Sequence, residues 1–152
     1  MKRIIFVLLH SDGHYMLSRN FRLQRVGDID WVLRNYEIRR VSLGIDELMI
    51  LDVSREDSDR TIFHRDVARL VAECFVPVTV GGRLRFQDDV ARCFEAGADK
   101  VLMNGAFFDG PGLCEEIAAT YGSQALVAGI DVVDDVERLR DAPHRPLVAR
   151  RQ

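Results

Sequence analysis

The 152 residues are 47% hydrophobic and 30% charged, the balance of one globular domain with enough apolar material for a core, which excludes a disordered or fibrous chain. A formal net charge of -3 and a pI near 5.8 give no broad attraction for nucleic acid or an anionic membrane, so any partner must be recognised locally.

The chain opens on MKRIIFVLLH, a short basic start followed by an apolar run. From Ile4 to Leu9 that run is too short for the core of a signal peptide, and no small-residue cleavage site follows it. No other stretch is long enough to span a bilayer. Cys74, Cys93 and Cys114 stand at no metal-like spacing and read as reduced, helix-borne thiols of a cytoplasmic protein.

Short apolar segments then alternate with longer amphipathic ones, the pattern of repeated β-α units around a parallel sheet. Strands are predicted at Arg3–Leu9, Glu47–Asp52, Val76–Val80, Lys100–Asn104 and Ala125–Asp131, rich in Val, Ile, Leu and Met without strict alternation, as suits strands buried on both faces. Helices fill the gaps. Ile29–Leu43 follows Asp28 as N-cap, and Thr61–Cys74 sets Ile62, Val67, Leu70 and Val71 on one stripe. Phe86–Ala96 ends at Gly97, and Pro111–Tyr121 begins with proline and stops before Gly122.

Polar residues and glycines gather where these strands end: Asp52 and Ser54, Gly81-Gly82-Arg83, Asn104-Gly105 and Asp131. In a parallel barrel those ends share one rim, where active sites are built. Such residues also cap and turn chains, but their recurrence at four strand ends favours function. Beyond Asp131 the periodicity fails, and the Pro- and Arg-containing segment 132–152 reads as a divergent tail, partly helical or unpacked. Residues 1–131 are therefore expected to form a (β/α) half-barrel of four to five units. Open edges and one uncovered inner face predict self-association or recruitment of a second half.

Several collinear segments, RIIFVLLHSDG, VGDID, ELMILDVS, VPVTVGGRLR, AGADKVLMNGA and GSQALVAGID, make the chain resemble the cyclase subunit of imidazole glycerol phosphate synthase over about its first 131 residues. The resemblance implies a (β/α)₈-barrel that receives ammonia from a glutaminase partner and uses it at the opposite rim, in a lyase/cyclase reaction of histidine biosynthesis on a phosphorylated ribosyl substrate. It implies no cofactor. The family's catalytic pair is an aspartate at the end of the first strand and another at the end of the fifth. Here the second is Asp131, and the first position is Leu9. Leucine cannot exchange a proton, and loss of such a group costs about 10²–10⁴ in rate.

The phosphate- and substrate-holding positions implied are Gly81, Gly82, Asn104 and Asp52. Glycines let backbone N–H groups approach a phosphate closely; Arg83, where the family carries a third glycine, either blocks that approach or adds a charge-assisted contact. The lysine of the family's mobile first loop aligns with Leu17, with Arg19 two residues on. At the barrel base, Arg3, Glu47 and Lys100 match three of the four charges of the family's ammonia gate, and Asp99 matches a position facing the glutaminase.

A kept gate beside a lost first aspartate, with AECFVP before the third strand, also resembles a paralogous group that supplies ammonia for amidating sugars of surface polysaccharides. A third reading is a non-catalytic half-barrel that only docks a glutaminase. The histidines at 10, 14, 64 and 144 do not cluster as metal ligands, and His64 is expected on a solvated helix face. The acidic stretch Glu56-Asp57-Ser58-Asp59 reads as a solvated loop rather than a cation site.

Overall fold

A computed structural model of the chain describes residues 2–20, 22–55, 58–106 and 112–130. Asp131, the segment 132–152, Glu56 and Asp57 therefore lie outside the described residues. The first strand, β1 (Ile5–Ser11), leads into a hairpin of β2 (His14–Arg19) and β3 (Arg22–Gly27), then α1 (Ile29–Tyr36) and α2 (Ile38–Val41). The units β4 (Glu47–Asp52), α3 (Thr61–Val71), β5 (Val78–Gly81), α4 (Gln87–Glu95), β6 (Lys100–Met103), α5 (Gly112–Tyr121) and β7 (Leu126–Ala128) follow.

One sheet holds the strands in the order β3-β2-β1-β4-β5-β6-β7. Along that order the pairs β1–β4, β4–β5, β5–β6 and β6–β7 are parallel, and the pairs β1–β2 and β2–β3 are antiparallel. Five consecutive parallel strands joined through helices make the expected half-barrel.

The two faces of the sheet differ. Leu8, Ile50, Val80 and Val101 form a cross-strand row packed beneath helices through Val32, Phe63, Val67, Leu70, Val90, Cys93 and Ile117, all buried. Residues of opposite parity look the other way, and there Ile5 and Val7 remain 42% and 45% exposed. Alternate pointing of side chains along a strand explains the contrast, since a barrel lumen needs strands from all round to close over it.

Three expectations need correction. Residues 14–27 form a hairpin where no strand was expected. The chain enters it from β1 through Asp12 and Gly13, both at positive φ (50° and 78°), the geometry of a type I′ turn whose twist suits the antiparallel pair β1–β2. The helix expected over 29–43 starts as predicted, with the Asp28 carboxylate accepting from the Trp31 amide at 2.8 Å, but Glu37 at φ 47° breaks it into α1 and α2. The third helix ends at Val71, so Cys74 lies in a turn and donates weakly to the Val76 carbonyl.

Candidate functional site

At the N-terminal end of the parallel strands, Glu47 opens β4 with only 3% of its surface exposed. Its Oε2 accepts from Arg3 Nη2 at 2.7 Å and from Lys100 Nζ at 2.9 Å, and its Oε1 takes the Thr79 hydroxyl. Strand register explains the meeting: Glu47 lies beside Ile5, and Thr79 beside Lys100, on the lumen-facing side. Burial pulls the Glu47 carboxyl upward, but the hydrogen bonds from Thr79 and Lys100 and the charges of Lys100 and Arg3 outweigh it and leave it below the usual range. Asp99, exposed beside this group, accepts from the Val78 amide at 2.8 Å; Asp46 does the same for the Ile4 amide at 2.7 Å. The three gate positions predicted from the sequence thus meet in one cluster, with Thr79 as a fourth member that sequence reasoning missed.

At the opposite end, Asp52, 4% exposed, accepts from the Ser54 amide at 3.0 Å and Arg60 Nε at 3.2 Å, with Arg83 Nη1 at 3.6 Å. It pairs in register with His10, on the helix-facing side of the sheet, which sets it among the supports of the rim loops. Gly81 is buried in β5, where an added Cβ would stand 2.9 Å from the Leu102 Cβ. Gly82 is tighter still: its φ is 91°, and a Cβ would fall 2.1 Å from the Asp52 carbonyl oxygen. Only glycine fits there. Arg83 turns its guanidinium back to the Ser58 carbonyl at 3.3 Å. Asn104 stands exposed one residue past β6, the strand that pairs with β5, so the two glycines and the asparagine do share a rim.

Leu9 occupies a lumen-facing row that runs Arg25, Met16, Leu9, Leu51, Gly81, Leu102, Val127 across seven strands. Apart from Arg25 at its hairpin end, the described row is without a titratable group. Leu17 and Arg19 are exposed on β2 and, two residues apart, share the face opposite to Met16.

Behind the rim lies a buried pair that sequence reasoning did not find. His10 and Asp66, 1% and 0% exposed, meet at 3.2 Å, with the His10 ring packed 5.3 Å from Tyr15 and 5.2 Å from Phe63. Burial, assisted by the Asp66 charge, keeps the Tyr15 phenol protonated far above its usual range. The sequence carried a sign of it: Asp66 falls on the α3 stripe of Phe63, Val67 and Leu70, where an acid needs a partner. His64, expected to be solvated, is half-buried; burial first, then the charges of Arg60 and Arg92, hold it below the usual histidine range. Among the described residues no group of His, Cys, Asp and Glu is arranged to hold a metal ion, and no helix is long and apolar enough to cross a membrane.

Comparison with known proteins agrees with this geometry. The family profile described as Histidine biosynthesis protein matches residues 23–144. A relative from Parasynechococcus marenigrum (strain WH8102), under the provisional name imidazole glycerol phosphate synthase subunit hisF2, is 48% identical over 88% of this chain and 50% of its own. Imidazole glycerol phosphate synthase subunits HisF from Dictyoglomus thermophilum and Myxococcus xanthus are 40% and 36% identical over 86% and 94% of this chain, and 51% and 55% of their own. The chain spans about half the length of the curated relatives it matches. With a family match over most of its length and a parallel half-barrel beneath it, the chain belongs to the histidine biosynthesis protein family, as a HisF-like member.

Proposed function

We propose that this chain acts as a HisF-type subunit: its barrel base accepts ammonia from a glutaminase, and its rim uses that ammonia in a lyase/cyclase reaction on a phosphorylated ribosyl substrate. The observation that carries the reading is Glu47, a nearly buried carboxylate that gathers Arg3, Thr79 and Lys100 on the lumen side of the strand starts. Placing charges there costs desolvation, and a buried ion cluster is weak evidence of stability, so a role in passage or docking accounts for it better. The roles of Gly81, Gly82 and Asn104 at the phosphate, of Asp131 as acid/base and of Asp99 toward the glutaminase belong to the same proposal. Asp52 enters it through the loops it supports.

A second reading rests on Leu9. Among the described residues its row offers no carboxylate where the cyclase resemblance asks for one, which favours an ammonia-delivering relative that amidates a sugar. Both readings keep the base and differ at the rim.

The test is glutamine hydrolysis by a glutaminase subunit from the same genome, titrated with the 152-residue chain. Stimulation is expected, and Lys100→Ala or Asp99→Ala is expected to abolish it. A glutaminase indifferent to the chain would overturn both readings.

A further inference from the structure

One side chain ties together four parts of the rim. Arg60 stands immediately before α3 with its side chain 11% exposed. Its Nε donates to Asp52 at 3.2 Å, its Nη1 to the Arg83 carbonyl at 3.1 Å with Asp89 also at 3.1 Å, and its Nη2 to the Gly82 carbonyl at 3.2 Å. Asp89 in turn accepts from the amides of Arg85 and Phe86, both at 3.0 Å, and so fixes the start of α4. The planar fork of a guanidinium can serve all these acceptors at once; an ammonium cannot.

We infer that Arg60 is a positioning residue which turns the Gly81–Arg83 loop into a phosphoryl-binding cradle. The inference rests on the reading of that loop as the phosphate holder. In a trans peptide the C=O and N–H point in opposite directions, and the described chain has no cis bonds. Arg60 belongs to the helix layer, and it holds the carbonyls of Gly82 and Arg83 on that side. The amides that share those two peptide planes, those of Arg83 and Leu84, are therefore turned toward the lumen side of the rim. The Leu84 amide meets no acceptor among the described residues. An N–H so turned is open to an acceptor, and an anion seated on the turn supplies one. The absence of a side chain on Gly82, which packs directly on the Asp52 carbonyl, leaves the backbone free for close approach. A phosphate monoester is the class that fits, since it offers several acceptor oxygens to a turn of backbone donors.

The experiment is a titration of the ¹⁵N-labelled 152-residue chain with inorganic phosphate, read at the Arg83 and Leu84 amides, with the urea midpoint followed for each variant. In the wild-type chain the Leu84 amide is expected to shift downfield and saturate. Arg60→Lys keeps the charge but not the fork, and is expected to weaken that response about tenfold while amides near Glu47 stay unmoved. An undiminished response in a folded Arg60→Lys chain overturns the positioning role and leaves the phosphate reading standing. A wild-type chain whose Arg83 and Leu84 amides ignore phosphate overturns the phosphate reading and this inference with it. Should Arg60→Lys fail to fold, Asp52→Asn loosens the guanidinium without removing it. That variant is expected to lose affinity about threefold, and unchanged affinity there is equally fatal.

Discussion

The two ends of the parallel sheet are organised around opposite charges. At the base, one carboxylate, Glu47, collects donors from Arg3, Thr79 and Lys100; at the rim, one guanidinium, Arg60, collects acceptors from Asp52, Asp89 and the carbonyls of Gly82 and Arg83. The base is built from side chains that reach across strands, so its order depends on a group that titrates. The rim is built from backbone shape, with the carbonyls of Gly82 and Arg83 held by one guanidinium. Acid should loosen the first through Glu47. Sterics should damage the second and spare the first.

The largest expected loss of stability is at the rim. Gly82→Ala forces a side chain into a φ of 91° and to 2.1 Å from the Asp52 carbonyl, so β4, β5 or the loop must move. A cost of about 3–5 kcal/mol is expected from urea denaturation, with the Glu47 cluster untouched until the chain unfolds. A cost under about 1 kcal/mol would mean that the turn rebuilds freely and is not a rigid element.

At the base a smaller loss is expected. Glu47→Gln keeps the shape and one acceptor but leaves Lys100 and Arg3 without a counter-charge; because Arg3 is half-exposed and Lys100 reaches water, about 1–2 kcal/mol at neutral pH is expected. The pH dependence follows from the depressed Glu47 carboxyl. Its contribution is complete above the usual glutamate value of 4.5 and disappears as pH falls through the lower value it has in the fold. The wild-type chain should therefore lose stability more steeply than Glu47→Gln as pH drops below about 4.5. Parallel acid limbs would show that the cluster adds nothing to folding.

Much of this contrast was legible in the sequence, for reasons that differ by region. The strands ELMILD, VTVG and KVLM are continuous apolar runs because both faces need apolar residues, and their positions came out within a residue or two. The hairpin was lost because β3 is RLQRVG, mostly exposed, with no apolar run to mark it; Asp12-Gly13 marks only the turn from β1 into β2. Glu37, at φ 47°, breaks the helix although glutamate itself is a good helix former. The ring around Glu47 joins residues 44, 32 and 53 positions apart, so nothing local marks it, and only the family resemblance brought Arg3, Glu47 and Lys100 together. Arg60 escaped because it closes an acidic stretch that reads as a solvated loop. Its importance lies in carbonyls that no sequence pattern displays.

The smallest change in stability, and the sharpest test of what the rim does, is Leu9→Asp. Leu9 is half-buried on the lumen-facing row, between Met16 and Leu51, so a carboxylate there stays partly hydrated, and a change of about 1 kcal/mol or less is expected. Under the cyclase reading, the substitution restores the proton-transfer group that Asp131 lacks as a partner. Ammonia-dependent turnover of a phosphorylated ribosyl substrate is then expected to rise about 10²–10⁴-fold. Leu51→Asp, one strand along the same row, is the control: it adds the same charge to the same face and should give no gain. A rise in Leu9→Asp alone would make the rim a cyclase site short of one acid. Equal turnover in both variants would instead assign the rim to the second reading, in which the base still delivers ammonia but to an acceptor whose chemistry needs no carboxylate on the first strand.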